Sequence, residues 1–71
     1  MHRISVNSSV IRSVGYDREI AILEIEFTNG AMYEYGGVPE EIYAELLAAE
    51  SKGAYFDACI RDPRYSCRRL S

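Results

Sequence analysis

The sequence predicts an α+β fold, in which a three-stranded antiparallel β-meander is followed by two short helices packed on one sheet face. Three observations predict it. Apolar and acidic residues alternate from Leu23 to Phe27, as expected for a strand with one buried face. A turn sequence follows, and a second alternating segment ends at Tyr35. After Pro39, apolar residues recur at helical spacing.

The segment 23–35 is typical of a β-hairpin, because a turn lies between two strands of alternating polarity. The turn is placed at 28–30, where asparagine and glycine tolerate positive φ at low cost. Two registers fit this turn. A two-residue loop would pair Phe27 with Met32, whereas a three-residue loop with a bulge would pair Phe27 with Ala31.

The three-residue register is predicted, because it gathers the apolar side chains of both strands on one face. In that register Ile25 faces Tyr33 and Leu23 faces Tyr35. We therefore expect both tyrosines to point inward and fill the space between the sheet and the helices. The alternative is a stacking platform, in which both rings lie open on a bare sheet and stack on unpaired bases.

The strand before the hairpin is predicted at 10–16, where β-branched residues dominate. In a regular strand Ile11 and Val14 would fall on opposite faces. We therefore expect a bulge at Gly15 that corrects the alternation. A polar turn then leads into the second strand, predicted at 20–27.

The first helix is predicted to begin at Val38-Pro39, because proline is tolerated in the first turn. Glu40 and Glu41 in that turn favour the positive end of the helix dipole. Gly53 is expected to end this helix. The apolar face of the helix comprises Ile42, Tyr43, Leu46, Leu47 and Ala49.

A second, shorter helix is predicted to end before Asp62-Pro63, since the residue before proline disfavours the helical region. Two i,i+4 pairs are expected to hold this helix on the core. The pairs are Tyr55–Cys59 and Phe56–Ile60. The segment 65–70 is interpreted either as an extended tail or as a short edge strand.

The 71 residues are expected to form one domain, with a lead-in at 1–7 and a basic tail at 62–71. Ile4 and Val6 in the lead-in either begin a strand or cover the bottom of the core. The Ser8-Ser9 pair favours local hydrogen bonds to the backbone, and the alternative is an anion-binding nest.

Charge is distributed unevenly along the chain. The net charge is −3, with −6 over residues 1–60 and +3 over residues 61–71. An acidic body argues against a strong nucleic-acid binder, whose domain is usually basic overall. No apolar run is long enough to span a membrane, and the N-terminus lacks the apolar core of a secretory signal. We therefore expect a cytoplasmic protein whose two cysteines, Cys59 and Cys67, are reduced.

A series of short motifs runs through nearly the whole chain. The motifs are Ser8-Ser9, Gly15-Tyr16, Leu23-x-Ile25-x-Phe27, Gly30, Tyr33-x-Tyr35, Val38-Pro39, Ser51-x-Gly53, Tyr55-Phe56 and Ile60-Arg61. Their order and spacing resemble the KTSC domain, named for its occurrence at the C-terminus of some lysyl-tRNA synthetases. The family also occurs as a free-standing bacterial protein, which this chain resembles in length. The family has no established activity, and RNA binding has been suggested for it by association with the synthetase.

The basic C-terminal segment is the candidate RNA-binding site. Basic residues interleaved with an aromatic residue suit contact with a flexible single strand. The candidate residues are Arg61, Arg64, Tyr65, Arg68 and Arg69. The alternative interpretation is a solvated tail that balances the acidic body.

No catalytic, cofactor or metal site is predicted. No histidine lies near a nucleophile in the sequence, and two cysteines are too few for a zinc site. Glu24, Glu26 and Glu34 are expected on the exposed sheet face, where they provide solubility and protect the edges. Paired carboxylates can also perform acid–base chemistry or hold a cation, but a flat face lacks the pocket that such a site needs.

The function expected is a small non-enzymatic binding module that takes a partner protein or a second copy of itself. Sheet edges and an uncovered face bearing Ile20, Ile22 and Met32 would provide the binding surface. The alternative function is weak RNA binding through the basic C-terminal segment. An enzyme is not expected.

Overall fold

The computed structural model describes residues 3–61 and 64–70, which form a five-stranded antiparallel sheet with helices on one face. The elements in chain order are β1 (Arg3–Ser5), β2 (Ile11–Asp17), β3 (Ile22–Phe27), β4 (Met32–Gly36), α1 (Glu40–Ala48), α2 (Lys52–Tyr55) and β5 (Ser66–Arg69). Helix α2 continues directly into one π-helical turn, Phe56–Ile60. The strand order in the sheet is the order in the chain, β1-β2-β3-β4-β5.

The α+β class, the antiparallel meander and the two helices are confirmed, but the expected number of three strands is wrong. Residues 3–5, assigned to the lead-in, form β1 and pair with β2, so that Ile4 lies opposite Val14. Residues 66–69, assigned to the basic tail, return after the helices and pair with β4. The edge-strand interpretation of the tail is therefore the correct one, and both additional strands lie at the edges of the sheet.

The β3–β4 hairpin has the three-residue loop. The N–H of Phe27 donates to the carbonyl of Ala31 at 2.9 Å, and the N–H of Gly30 donates to the carbonyl of Phe27 at 3.0 Å. Gly30 has φ of +93°, a left-handed conformation that favours glycine. This loop pairs Ile25 with Tyr33 and confirms the predicted register.

The bulge in β2 lies at Arg12, and the predicted position at Gly15 is wrong. Ile11 and Ser13 pair with adjacent residues of β3, so Arg12 is the extra residue. The extra residue shifts the alternation by one position. As a result, Ile11 and Val14 both lie in the core with no exposed surface.

Strand β3 begins two residues later than predicted, at Ile22. Ala21 has φ of +55°, a left-handed conformation outside the β region, so the turn extends through this position. The preceding residue, Ile20, belongs to the turn and is 62% exposed. It therefore lies outside the sheet, whereas Ile22 and Met32 are half-buried strand residues.

The first helix ends at Ala48, and the prediction that Gly53 ends it is wrong. Ser51 begins the second helix, because its hydroxyl oxygen accepts a hydrogen bond from the N–H of Ala54 at 3.3 Å. Gly53 therefore lies inside α2. A Cβ atom there would lie 3.2 Å from a methyl group of Val10, so the glycine allows the loop before β2 to approach the helix.

The core lies between the sheet and the helices. Its fully buried large side chains are Ile11, Val14, Leu23, Ile25, Val38, Leu46 and Ile60. The ring of Phe56 meets the rings of Phe27 and Tyr35 edge to face, at centroid distances of 5.2 and 5.6 Å. Tyr35 is buried, as expected, whereas Tyr33 lies on the same face but is only half-buried.

The opposite face of the sheet, called the open face here, carries ion pairs. Glu24, Glu26 and Glu34 lie on it, as predicted, because their neighbours along β3 and β4 face the core. Arg3 pairs with Glu24 at 3.1 Å, and Arg68 pairs with Glu34 at 3.0 Å. Each arginine comes from an edge strand, so the pairs link β1 and β5 to the centre of the sheet.

Replacing Ile25 with alanine is expected to lower the free energy of unfolding by about 2–5 kcal/mol, because this side chain is fully buried. Ile20→Ala is the matched control, since the same substitution at a site 62% exposed should change stability by less than about 0.5 kcal/mol. Urea unfolding followed by circular dichroism measures both variants. Equal losses would contradict the burial assigned to β3.

Candidate functional site

A cleft of about 990 Å³ lies beside the helical layer, above strands β4 and β5. Its floor includes Phe27 and Tyr33. It is bounded by the loop between β1 and β2, by the start of α2, and by Cys67 and Arg69 of β5. This surface is called the cleft below. Its size is in the range of small-ligand and peptide sites.

The floor of the cleft is aromatic, and its rings contact one another. Tyr33 meets Phe27 edge to face, with a centroid distance of 5.9 Å and an interplanar angle of 75°. Phe27 in turn contacts Phe56 of the helical layer. Because Phe27 and Tyr33 are only half-buried, they form a preformed apolar surface that a ligand can cover.

One guanidinium group lies directly above this floor. The Cζ atom of Arg69 is 5.8 Å from the centroid of the Tyr33 ring, within the range of a cation–π interaction. The pairing of Arg69 with Tyr33 across β4 and β5 fixes both side chains on the cleft face. The cleft therefore presents an aromatic ring and a cation together.

Both signs of charge line the cleft. Arg61 donates to the carboxylate of Asp57 at 3.2 Å, one turn earlier in the chain. The ammonium group of Lys52 donates to a backbone carbonyl before α2 at 3.0 Å. With Arg69 and Glu50 included, the described lining residues carry three cations and two anions. The cleft is thus slightly positive in a protein that is acidic overall.

The loop before β2 is tied down by hydrogen bonds. The hydroxyl oxygen of Ser8 accepts from the N–H groups of Val10 and Ile11 at 3.1 and 3.2 Å, which confirms the predicted local bonding. Thr28 donates its N–H to the carbonyl of Val10 at 2.9 Å and its hydroxyl to the carbonyl of Ser9 at 3.2 Å. These bonds join the loop to the hairpin turn and fix that boundary of the cleft.

Buried Tyr35 and exposed Cys67 form a polar pair in the cleft. They lie opposite each other on β4 and β5, so both side chains are on the cleft face. Burial of the Tyr35 phenol, and its hydrogen bonding with Cys67, raise the pKa of Tyr35 above its usual value. The phenol therefore stays protonated at neutral pH. Cys67 is a free thiol.

The five predicted RNA-binding residues lie in three places. Arg61, Tyr65 and Arg69 line the cleft. The guanidinium of Arg64 lies 5.9 Å from the ring centroid of Tyr65. Arg68 points to the open face, where it pairs with a glutamate of β4. Tyr65 is 8% exposed, so its ring belongs to the core and presents little surface for base stacking.

Some expectations concern absences or positions outside residues 3–61 and 64–70. The predicted end of the second helix at Asp62-Pro63 lies outside the described residues. Within residues 3–61 and 64–70, no group of three metal-binding side chains is found. Over the same part of the chain, no helix has the length and apolar character needed to cross a membrane.

Sequence reasoning missed several parts of the cleft. Lys52, Phe56 and the loop before β2 were not expected to share a surface, because they are distant in sequence and meet only through tertiary packing. One local signal was present. If 66–69 had been assigned as a strand, the period of two would have placed Arg68 and Arg69 on opposite faces.

Comparisons with known proteins identify the family. The crystal structure of a KTSC domain protein from Yersinia pestis matches with a TM-score of 0.90 and 41% identity, covering 99% of this chain and 97% of that one. An uncharacterized protein of Stutzerimonas stutzeri is 43% identical over 70 residues, 99% of each chain. The sequence profile of the KTSC domain matches residues 7–65. The chain belongs to the KTSC domain family.

A segment of a larger enzyme is also similar to this chain. A lysine–tRNA ligase of Nostoc punctiforme is 40% identical over 53 residues, which cover 75% of this chain but only 9% of the ligase. The Stutzerimonas relative, by contrast, has about the length of this chain. No enzymatic activity is indicated for a KTSC domain of this size.

Tyr35→Phe is expected to make stability less dependent on pH above about 10. The raised pKa of Tyr35 means that the folded protein keeps the phenolic proton while the unfolded chain loses it. The stabilisation that comes from the raised pKa of Tyr35 is therefore complete at pH values below the pKa of this phenol in the unfolded chain. It is lost as the pH rises through the pKa of the phenol in the folded protein. The largest slope from one group is about 1.4 kcal/mol per pH unit.

Urea unfolding of the wild type and of Tyr35→Phe, at a series of alkaline pH values, measures this difference. The wild type should lose stability more steeply than the variant, because the variant has no phenolic proton at this position. Measurements near neutral pH provide the baseline for the loss of the hydrogen bond itself. Parallel curves for the two proteins would contradict the raised pKa of Tyr35.

Proposed function

We propose that this KTSC domain is a small non-enzymatic binding module that takes a partner protein along the cleft and the adjoining strand β5. The half-buried Phe27–Tyr33 surface beside a sheet edge is the observation that supports this proposal. Apolar and aromatic surface with a polar rim is typical of protein–protein contacts. A partner segment would cover both rings and remove their exposed area from water.

A partner protein is favoured over a second copy of the domain, because both sheet edges carry arginine. Arg3 lies on β1, and Arg68 and Arg69 lie on β5. Pairing the edges of two copies would bring like charges side by side, which destabilises strand pairing. We therefore expect a monomer in solution, and self-association is the outcome that would replace the partner protein.

The chemistry of the cleft suits binding better than catalysis. Cys67 is its candidate nucleophile, and in the described part of the chain no histidine lies against it to act as a base. Arg61 and Asp57 neutralise each other rather than acting on a ligand. We also propose that the module works in the cytoplasm, where the free thiols Cys59 and Cys67 remain reduced.

Photo-crosslinking in the native cells tests the proposed function. A photoreactive amino acid at Ala54, an exposed residue that lines the cleft, is expected to capture a partner protein. The same amino acid at Ala44, an exposed alanine of α1 that does not line the cleft, is the matched control. The cross-linked products are identified by mass spectrometry.

A partner captured from Ala54 but not from Ala44 would support the binding site. Equal capture from both positions, or none from Ala54, would contradict it. A product with twice the mass of the domain would identify a second copy as the partner. Sedimentation of the purified protein checks the expected monomer independently.

A second candidate function is weak binding of single-stranded RNA, which one observation favours. Arg69 lies over the ring of Tyr33, with Arg61 in the same cleft, and aromatic rings beside cations are typical of single-strand sites. A relative of the domain is a segment of a lysine–tRNA ligase, an enzyme named for tRNA. Glu50 and Asp57 in the cleft oppose this candidate, because they repel phosphates.

Two neighbouring arginines provide a sharp test of RNA binding in the cleft. Arg69→Gln removes a cation from the cleft, whereas Arg68→Gln removes one from the opposite face of the same strand. If RNA occupies the cleft, only Arg69→Gln should weaken binding and reduce the log–log salt slope by about 0.7. Fluorescence anisotropy of a labelled single-stranded RNA at low salt measures both variants.

The pattern of losses decides between the two forms of RNA binding. Equal losses from the two variants would indicate attraction by the whole basic segment rather than by the cleft. No binding by the wild type at low salt would end the RNA candidate. Neither result bears on the capture of a partner protein.

A further inference from the structure

We infer that the partner segment is an extended acidic strand, which adds to the sheet beside β5 with its acidic side chains next to Arg68 and its apolar side chains in the cleft. The inference rests on the proposed function and names the chemistry of the partner. Strand addition at a sheet edge is a recurring mode of peptide recognition. The charges, the backbone geometry and the cleft of this domain each support it.

A row of cross-strand neighbours on the open face ends with a cation on β5. One row of cross-strand neighbours runs Arg3, Gly15, Glu24, Glu34 and Arg68. The two glutamates at the centre are each paired with an arginine from an edge strand. A sixth strand beside β5 would place its own residue next to Arg68. An acidic residue there would form an opposite-charge pair with Arg68, whereas a basic residue would be repelled.

The same end of the molecule is basic more widely. Residues 61–71 carry a net charge of +3, against −6 for residues 1–60. Lys52, from the first sixty residues, also lines the cleft beside β5. An approaching acidic segment is therefore attracted to β5 and repelled by the rest of the surface, which favours one location and one orientation of the encounter.

Strand β5 has backbone N–H and carbonyl groups that point away from β4, as strand addition requires. The N–H of Leu70 donates to the carbonyl of Met32 on β4 at 2.7 Å. In an antiparallel ladder, residues alternate between those bonded to a given neighbour and those whose backbone groups point away from it. Cys67 is three positions before Leu70, so its N–H and carbonyl point away from β4. In the described part of the chain, no strand lies on that side of β5.

Alternation along the added strand assigns its side chains to two environments. Residues beside Arg68 lie on the open face, where charge is matched by charge. Residues at the intervening positions lie on the face of Cys67 and Arg69, which is the cleft face. There they lie next to Cys67 and the aliphatic stem of Arg69 and extend toward the half-buried ring of Tyr33 on the next strand, so apolar side chains fit best. The partner is thus a strand of alternating acidic and apolar residues.

An acidic peptide fits these observations better than RNA does. Its backbone can pair with the outward N–H and carbonyl of Cys67, which a nucleic acid cannot do in ladder geometry. Its carboxylates contact Arg68 on the open face. The side chains that it places on the cleft face carry no charge, so Glu50 and Asp57 in the cleft do not repel them. A polyanion that filled the cleft would meet both of these carboxylates.

Titration of the isotope-labelled protein with three synthetic peptides tests the inference. The first peptide alternates glutamate with valine and tyrosine, the second has lysine in place of each glutamate, and the third has proline in place of each valine. The acidic peptide should shift the NMR signals of β5 and of the cleft. The lysine peptide should bind about tenfold more weakly or not at all, because attraction becomes repulsion. The proline peptide should also lose binding, because it cannot complete the ladder.

Arginine variants locate the contact and provide a matched control. Arg68→Gln should weaken the acidic peptide by about two- to fivefold, whereas Arg69→Gln, on the cleft face away from the carboxylates, should weaken it less. Arg18→Gln is the control, because Arg18 is also an exposed arginine paired with a glutamate, Glu40 at 2.9 Å, but lies outside β5 and the cleft. Its affinity for the peptide should equal that of the wild type.

Each contrary result has a distinct meaning. If the lysine peptide binds as tightly as the acidic peptide, the inference is overturned, and the cleft binds proteins without selecting their charge. If the proline peptide binds as tightly as the acidic peptide, the inference is also overturned, and the cleft binds proteins without strand pairing. Signal shifts confined to α1 or to the centre of the open face would also overturn it. If no peptide binds, the acidic-strand inference fails. Crosslinking from Ala54 still decides the proposed function, since it uses the native partner.

Discussion

The register of the β3–β4 hairpin is the constraint on which the rest of the structure depends. Gly30 at φ of +93° closes a three-residue loop, and the loop sets Ile25 against Tyr33. A slip of one residue would turn the aromatic side chains toward the face of the glutamates. The helices would then lack an apolar surface to cover, and the charged residues would be buried without partners. The core, the open face and the cleft all follow from this single alignment.

The hairpin could be predicted from the sequence because every interaction that determines it is local. Turn residues tolerant of positive φ and two alternating strands lie within 23–35. Strands β1 and β5 could not be predicted with the same assurance, since each is only three or four residues long and mostly charged or polar. The pairing partner of β5, strand β4, also lies far away in sequence. Similarly, Gly53 resembles a helix stop locally, and only its contact with Val10 explains its place inside α2.

The cleft could not be predicted from the sequence, for a different physical reason. It exists because the helical layer covers Tyr35 but leaves Phe27 and Tyr33 half-buried, and this depends on where α2 begins and how it packs. The sequence did indicate the candidate basic residues and the aromatic pair. It did not indicate that Arg68 and Arg69 would separate to opposite faces, because that separation requires β5 to be a strand.

The helical layer covers the apolar face of the sheet only in part, and this links the stability of the domain to its proposed binding. A domain of this length buries only about 60% of the surface that its unfolded chain exposes, and the half-buried rings of Phe27 and Tyr33 belong to the apolar area left exposed. The side chain of Arg69 covers part of the Tyr33 ring, while Arg69 itself remains exposed to solvent. The arginines of the edge strands limit self-pairing without blocking an oppositely charged strand. We therefore expect the arginines that oppose pairing with a second copy also to select the charge of a chain that adds to the sheet.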